Sequence, residues 1–243
     1  MRAGHEPEET TARAPGAVCA EGAGTRRWFV VDLGGPHRTL GWTVVGGGIG
    51  GASAVAWLAV RDDELAPPVD PAAFARAALA AERLATMPVF LTSCDLESRV
   101  EETASAGGVD ARCVATVGLG NRGRVGEPAA PAVHAGTINL LCVTSEPLTE
   151  PALVEAISIA SSARTAAVLQ AGLALPGSDR LATGTGTDCC IVASPLDRAR
   201  PELAYAGLHT AVGEAIGRAA FVATARGVAR WLAAHGDQRR ARA

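Results

Sequence analysis

Apolar runs of five to seven residues, separated by turn residues, recur along the chain and predict β-strands. The runs cover residues 28–33, 39–45, 89–93, 113–117, 138–144 and 189–194. The turn signal Gly34-Gly35-Pro36 lies between the first two runs, which are therefore predicted to form a hairpin. The run at 138–144 gives the strongest strand signal.

Helices are predicted where apolar residues recur every three or four positions after a capping residue. Asp70 followed by Pro71 marks such a start, and we expect this helix to end before Pro88. A shorter helix is predicted at 98–107. Both of these helices lie in the first half of the chain.

Two longer helices are predicted in the second half of the chain. Thr149 can cap the first of them. The last helix runs from about Thr210 to His235, and its Gly213 and Gly217 allow a neighbouring segment to approach closely.

Strands and helices alternate in this half, which favours an α/β fold. We expect a single domain, with a central mixed β-sheet covered by helices, over residues 26–236. The pattern leaves the strand order open. Residues 1–25 carry few large apolar side chains and are expected to form a disordered tail. Residues 237–243 are expected to form a basic C-terminal tail.

Composition agrees with a compact domain, because 48% of the 243 residues are hydrophobic and 19% are charged. The net charge of −3 gives no electrostatic reason to expect nucleic acid as a partner. The first ten residues lack the basic and apolar segments of a signal peptide. We therefore expect a cytoplasmic protein whose six cysteines are reduced. A homo-oligomer remains compatible with the sequence.

Residues 40–60 are uncharged over 21 positions, the length of a membrane span, but six of them are glycine. Glycine disfavours a helix, so we interpret the segment as a strand, a glycine turn and a further apolar segment. Gly46, Gly48 and Gly51 also spell the GxGxxG pattern of dinucleotide-binding turns. Since no acidic residue ends a second strand about 20 positions later, FAD or NAD binding is the less favoured alternative.

Four segments combine glycine with small polar residues beside strong strands or helix starts. They are residues 118–126, 136–139, 182–188 and 205–214. Glycine there lets the backbone approach a ligand and leaves N–H groups free to stabilise an oxyanion. The candidate backbone donors are Gly120, Gly136, Gly184 and Gly186.

The candidate catalytic side chains are His209, Asp188 and Glu214, with His134 as an alternative base. His209 precedes the last helix, and the ordinary pKa of histidine suits proton transfer. Asp188 enters an apolar strand, where a carboxylate is either a structural anchor or a functional acid or base. Glu214 lies in the first turn of the last helix, where the helix dipole favours it in any case.

Thr137 and Asn139 are two positions apart in a strand, so their side chains share a face. Asn139 or Asn121 can then hold an oxyanion. The candidate substrate-binding residues are Asn121, Arg124, Thr137, Asn139, Thr185, Thr187 and Tyr205, and Trp42 and Trp57 are further candidates for an apolar wall. For Arg124 a surface salt bridge is equally compatible.

The sequence contains no Gly-x-Ser-x-Gly elbow, no local cysteine signature and no zinc pattern. A covalent nucleophile is therefore unsupported, and no cofactor or metal is identified. Adjacent Cys189 and Cys190 are expected to be small core residues on opposite faces of a strand.

These segments, in this order, resemble the adenosylcobinamide amidohydrolase family (CbiZ type). The matching signatures are Gly-x-Gly-Asn-x-x-Arg-Val-Gly at 118–126, Gly-Thr-Ile-Asn at 136–139, residues 182–188, and Tyr-Ala-Gly with His-Thr and Gly-Glu within 205–214. The sequence departs from the family at Arg122-Gly123, where small residues are expected.

The resemblance implies hydrolysis of the amide between the corrin ring side chain and aminopropanol in adenosylcobinamide. The products are adenosylcobyric acid and 1-amino-2-propanol, as in corrinoid salvage for coenzyme B12, and the corrinoid is then the substrate rather than a cofactor. A non-catalytic corrinoid-binding or carrier protein is the alternative. The resemblance does not assign the general base.

Overall fold

The computed structural model describes residues 17–23, 27–84, 87–128 and 136–236. Its strands are β1 (Ala17–Ala23), β2 (Arg27–Trp42), β3 (Gly48–Ala59), β4 (Val89–Thr92), β5 (Val100–Ala106), β6 (Val109–Val117), β7 (Arg122–Gly123), β8 (Ile138–Thr144), β9 (Gly184–Thr185) and β10 (Cys189–Pro195). The helices are α1 (Pro71–Ala81), α2 (Glu150–Gln170) and α3 (Ala211–His235), and a 3-10 turn lies at Leu96–Ser98.

Eight strands form one mixed sheet in the order β4-β3-β2-β10-β8-β6-β5, with β1 paired to β2 beside this path. Strands β8 and β10 are parallel, as are β3 and β4, and the remaining pairs are antiparallel. The expected α/β domain with a central mixed sheet is therefore confirmed, and the structure supplies the strand order.

Strand β2 is continuous through the predicted turn at Gly34-Gly35-Pro36, so the predicted hairpin is wrong. These residues instead form an irregularity between Asp32 and His37, where Gly34 and Gly35 have φ of 80° and 137°. The N-terminal half of β2 pairs with β1, and its C-terminal half pairs with β10. The glycine irregularity lets one long strand serve both halves of the sheet.

The buried side chains show that the sheet doubles back on itself. One cluster lies between α2, α3 and one face of β6, β8 and β10. A second lies between the opposite face of these strands and the paired ends of β2, β3 and β4. A third lies between those strand ends and α1. Helix, sheet, sheet and helices therefore form successive layers.

Local capping explains where the helices begin. Asp70 accepts a hydrogen bond from the N–H of Ala72 at 3.0 Å and caps α1. Thr149 caps α2, and Thr210 caps α3. By length and composition α2 could cross a membrane. In the structure, its apolar residues pack against the sheet and α3.

Two further predictions need correction. Residues 98–107, predicted as a helix, contain strand β5, which forms a hairpin with β6. Strand β1 lies within the predicted disordered tail of residues 1–25, while residues 1–16 and 237–243 are outside the described residues. The uncharged stretch 40–60 follows the predicted strand, glycine turn and apolar segment, the last being β3.

The GxGxxG pattern lies at the turn between β2 and β3. Gly46 and Gly48 have φ of 76° and 86°, which favour glycine. The pattern opens into a strand, whereas a dinucleotide-binding turn opens into a helix whose N-terminus holds the pyrophosphate. The structure therefore gives no support to the FAD or NAD alternative.

Candidate active site

Three of the four glycine-rich segments converge at one end of the sheet. The N–H of Gly118 donates to the carbonyl of Thr137 at 2.9 Å, which joins the end of β6 to the start of β8. The N–H of Gly186 donates to the carbonyl of Asn121 at 3.1 Å. Strands β7 and β9 also pair with each other. Segments 118–126, 136–139 and 182–188 therefore form one connected loop cluster.

Asp188 anchors this cluster. Its carboxylate accepts hydrogen bonds from the N–H of Ile138 at 3.1 Å, from the N–H of Thr185 at 3.0 Å and from the Thr185 hydroxyl. Arg164 of α2 forms an ion pair with this carboxylate at 3.3 Å, and the Asp188 side chain is only 8% exposed. Asp188 is thus a buried, fully partnered carboxylate, which fits the structural alternative better than the catalytic one.

Two adjoining cavities open beside the loop cluster, with volumes of about 780 Å³ and about 470 Å³. Both are lined by Asp62, Ser93 and Gly136, which we call the junction. The larger cavity extends past Gly118 and Gly120 toward the C-terminal end of α3.

Gly136 lies directly against two backbone N–H groups of the loop cluster. A Cβ at this position would lie 2.7 Å from the nitrogen of Gly120 and 2.8 Å from that of Asn121. Neither N–H group has a hydrogen-bond partner among the described residues. Two adjacent free N–H groups beside a cavity form an arrangement that can stabilise an oxyanion.

The Asn121 side chain lines the smaller cavity. Its amide nitrogen lies 3.1 Å from where a Cβ of Gly186 would be. Asn121 is therefore the predicted oxyanion side chain that the structure brings to the junction. Of the four predicted backbone donors, Gly120 and Gly136 line the cavities, whereas Gly184 packs against Asp188 and the N–H of Gly186 is already bonded.

Thr137 and Asn139 share a face of β8, as the strand period predicts, but Asn139 is fully buried. Its amide donates to the carbonyl of Leu91 in β4 at 3.0 Å and so joins the two halves of the folded sheet. The Thr137 hydroxyl donates to the carbonyl of Thr187 at 2.7 Å, and the Thr187 hydroxyl donates to that of Gly136 at 3.0 Å. Both threonines line the smaller cavity.

Two thiols line the cavities without being activated. Burial raises the pKa of Cys94 in the larger cavity, and burial together with the charge of Asp188 raises the pKa of Cys189 in the smaller one to about 11. Both are neutral near pH 7, and only the thiolate is a strong nucleophile. Cys190 lies on the opposite face of β10, fully buried, as expected.

The fourth glycine-rich segment lies at the opposite end of the sheet. A Cβ at Gly107, in the turn before β6, would lie 2.9 Å from Ala211 at the start of α3, whereas Val117 at the other end of β6 contacts Gly227. Strand β6, which joins the two ends, has nine residues and is about 30 Å long at ~3.3 Å per residue. His209, Glu214 and Tyr205 therefore lie at the other end of the sheet from Asp188 and the junction, so the two predicted alternatives for the base, His209 and Asp188, do not share one site.

The remaining predicted binding residues have other roles. Arg124 donates to the carbonyl of Leu181 at 2.9 Å and forms no ion pair with another described residue. Trp57 is buried in the core and stacks on Phe29 at 4.8 Å. Trp42 donates to the carbonyl of Asp188 at 2.6 Å. Thr185 serves the Asp188 anchor, and His134 lies outside the described residues.

The structure adds functional candidates that the sequence analysis missed. Asp62 lines both cavities and has no hydrogen bond or ion pair among the described residues. Trp231 and His235, one helical turn apart on α3, line the larger cavity with stacked rings. Arg122 lines it too, at a position where the sequence departs from the family pattern. The i, i+4 spacing of Trp231 and His235 within the predicted last helix was the sequence signal that these two rings are neighbours.

Among the described residues, no group of three or more His, Cys, Asp and Glu side chains is arranged to hold a metal ion. The five cysteines whose side chains are described are free thiols: Cys94, Cys113, Cys142, Cys189 and Cys190.

Comparison with known protein families gives a match over nearly the whole chain. The family model for adenosylcobinamide amidohydrolase matches residues 16–236. No curated protein matches the sequence. The PH0078 protein from Pyrococcus horikoshii OT3 is 10% identical with a TM-score of 0.41, over 89% of this chain and 80% of that chain. A beta-aminopeptidase from Burkholderia sp. is 13% identical with a TM-score of 0.34, over 90% of each chain.

Proposed function

The chain belongs to the adenosylcobinamide amidohydrolase family, and on that premise we propose that it hydrolyses the amide joining the corrin side chain to aminopropanol in adenosylcobinamide. The products are adenosylcobyric acid and 1-amino-2-propanol, and the setting is cytoplasmic corrinoid salvage. The observation that carries the proposal is the junction, where two backbone N–H groups of the glycine segments lie beside a cavity without a hydrogen-bond partner among the described residues.

The scissile carbonyl lies at the junction in this proposal. Its oxygen faces the N–H groups of Gly120 and Asn121, and the Asn121 amide adds a third donor. Such donors stabilise the negative charge that develops when the carbonyl becomes tetrahedral. The large cavity accommodates the ring, and Arg122 lies in its wall as a hydrogen-bond donor for amide side chains of the macrocycle.

Asp62 is the proposed general base, since it is the carboxylate that lines both cavities at the junction. A water molecule attacks the carbonyl carbon while the Asp62 carboxylate takes its proton. The C–N bond then breaks, and the Asp62 carboxyl group returns the proton to the departing amine. Ser93, which also belongs to the junction, can orient the water through its hydroxyl.

The experiment incubates the purified protein with adenosylcobinamide and detects adenosylcobyric acid by mass spectrometry, with and without a chelator. Product from the wild type supports the amidohydrolase, and binding without product identifies a corrinoid carrier instead. The chelator arm tests metal dependence directly.

Two substitutions then assign the base. Asp62→Asn is expected to lower kcat by about 10²–10⁴-fold, the usual contribution of a general base. Asp63→Asn is the matched control, because Asp63 is adjacent but pairs with Arg61 at 3.4 Å. His209→Ala is expected to retain turnover. If His209→Ala abolishes turnover while Asp62→Asn does not, this assignment is wrong.

A further inference from the structure

The end of α3 forms an aromatic platform in the larger cavity. The rings of Trp231 and His235 stack with centroids 4.6 Å apart and planes inclined by 11°. Both side chains line the cavity that also reaches the junction at Gly136. The hydrolytic steps described above use neither ring, so the platform requires a separate explanation.

The hydrogen bond of His235 defines which ring nitrogen is free. Its Nδ1 lies 2.9 Å from the carbonyl oxygen of Trp231. A carbonyl oxygen only accepts hydrogen bonds, so Nδ1 carries the proton and donates it. In the neutral ring, Nε2 then keeps its lone pair. Metal-binding histidines are commonly held in this way, with the other ring nitrogen bonded to a backbone carbonyl.

The proposed substrate contains a metal with a coordination position to offer. Cobinamide lacks the nucleotide base that can occupy the lower axial position of cobalt in complete cobamides. An imidazole nitrogen is a suitable ligand for a transition metal of this kind. Cys94 lines the same cavity, but burial raises the pKa of its thiol and keeps it in the weakly ligating protonated form.

We propose that Nε2 of His235 binds the cobalt of adenosylcobinamide from its lower face and so fixes the ring in the larger cavity. The inference rests on the proposed function, because it takes the corrinoid as the ligand. Trp231 holds the imidazole ring in place through its stacked indole and its carbonyl. With the cobalt held at this end, the amide-bearing side chain of the ring extends toward the junction.

Electron paramagnetic resonance tests this ligation directly, with the cobalt(II) form of cobinamide as the probe. One nitrogen ligand on the axis splits each cobalt line into a triplet, and isotopic substitution by nitrogen-15 in histidine converts the triplet into a doublet. We expect the triplet with the wild-type protein and its loss in His235→Ala and in His235→Gln. His209→Ala is the matched control, because His209 lies at the other end of the sheet, and should retain the triplet.

Thermal unfolding of each variant shows whether it is folded, and two His235 variants are used so that one misfolded protein does not decide the result. A wild-type spectrum without nitrogen splitting overturns the ligation, as does a triplet that persists in a folded His235 variant. Product formation without the triplet leaves the proposed function standing and removes the ligation alone. A triplet without any product supports ligation in a corrinoid-binding protein and refutes the hydrolase.

Discussion

Gly136→Ala is the most direct test of the oxyanion arrangement. The new methyl group would lie 2.7 Å from the nitrogen of Gly120, 2.8 Å from that of Asn121 and 3.1 Å from the carbonyl oxygen of Gly118. All three neighbours are backbone atoms, so no flexible side chain can move aside. The loop must shift, and the two N–H groups lose the positions that the proposed oxyanion arrangement requires.

The size of the effect follows from the donors that are displaced. Loss of one oxyanion donor costs about 2.7–4 kcal/mol of transition-state stabilisation, which corresponds to about 10²–10³-fold in kcat. We therefore expect Gly136→Ala to lower kcat by at least about 10²-fold. Overpacking also destabilises a fold by about 1–3 kcal/mol, so the assay must be run below the measured Tm of the variant.

The assay follows adenosylcobyric acid by mass spectrometry and measures corrinoid affinity separately. Gly123→Ala is the matched control, because Gly123 lies in the same loop cluster and a Cβ there meets no atom within 4 Å. We expect this control to retain turnover. A folded Gly136→Ala protein whose kcat equals that of Gly123→Ala would refute the oxyanion assignment.

Three further predictions concern the structural residues around the junction. Asp188→Ala leaves Arg164 buried without its partner and should lower the free energy of unfolding by about 3–5 kcal/mol in urea titrations; a loss below ~1 kcal/mol would show that Asp188 is no anchor. Asn139→Ala leaves the carbonyl of Leu91 unpaired and should cost about 1–3 kcal/mol of stability, whereas a large fall in kcat at unchanged Tm would restore its predicted catalytic role. The pKa of Cys189 is raised to about 11, so about one thiol in a thousand is ionised at pH 8. We expect slow alkylation of Cys189 at pH 8 and faster alkylation as the pH approaches 11. Mass spectrometry of the labelled protein measures this, and rapid labelling at pH 8 would contradict it.

Local signals in the sequence predicted most of the elements correctly. The Asp70-Pro71 cap, the strand at 138–144 and the caps at Thr149 and Thr210 all depend on neighbouring residues alone. A local signal could also have corrected the helix that was predicted at 98–107. Gly107 and Gly108, with φ of 53° and 82°, form the two-residue turn between β5 and β6, and a Gly-Gly pair favours the turn type that closes a hairpin.

Which segments meet at the site is decided by the direction of the strands, and strand direction did not enter the prediction from sequence. A strand, a long helix and a further strand form a parallel crossover, so the segments before the two strands lie at one end and those after them at the other. Strands β8 and β10 are joined in this way through α2. Segments 136–139 and 182–188 therefore meet, whereas His209 follows β10 and lies at the far end. Strand direction alone could not have placed Asp62 in the site. Its loop follows β3 and comes to the junction only because the sheet folds back on itself.

The direction of the strands also explains why backbone groups carry the proposed chemistry. Ligands in open α/β sheets usually lie beyond the carboxyl ends of parallel strands. Here the junction lies before the amino ends of β8 and β10, where the preceding glycine loops present their N–H groups. Such a site binds developing negative charge with few polar side chains. The residue whose identity matters most is then Gly136, which has close backbone neighbours, so Gly136→Ala with Gly123→Ala as its control tests the site better than the exchange of polar residues at a distance.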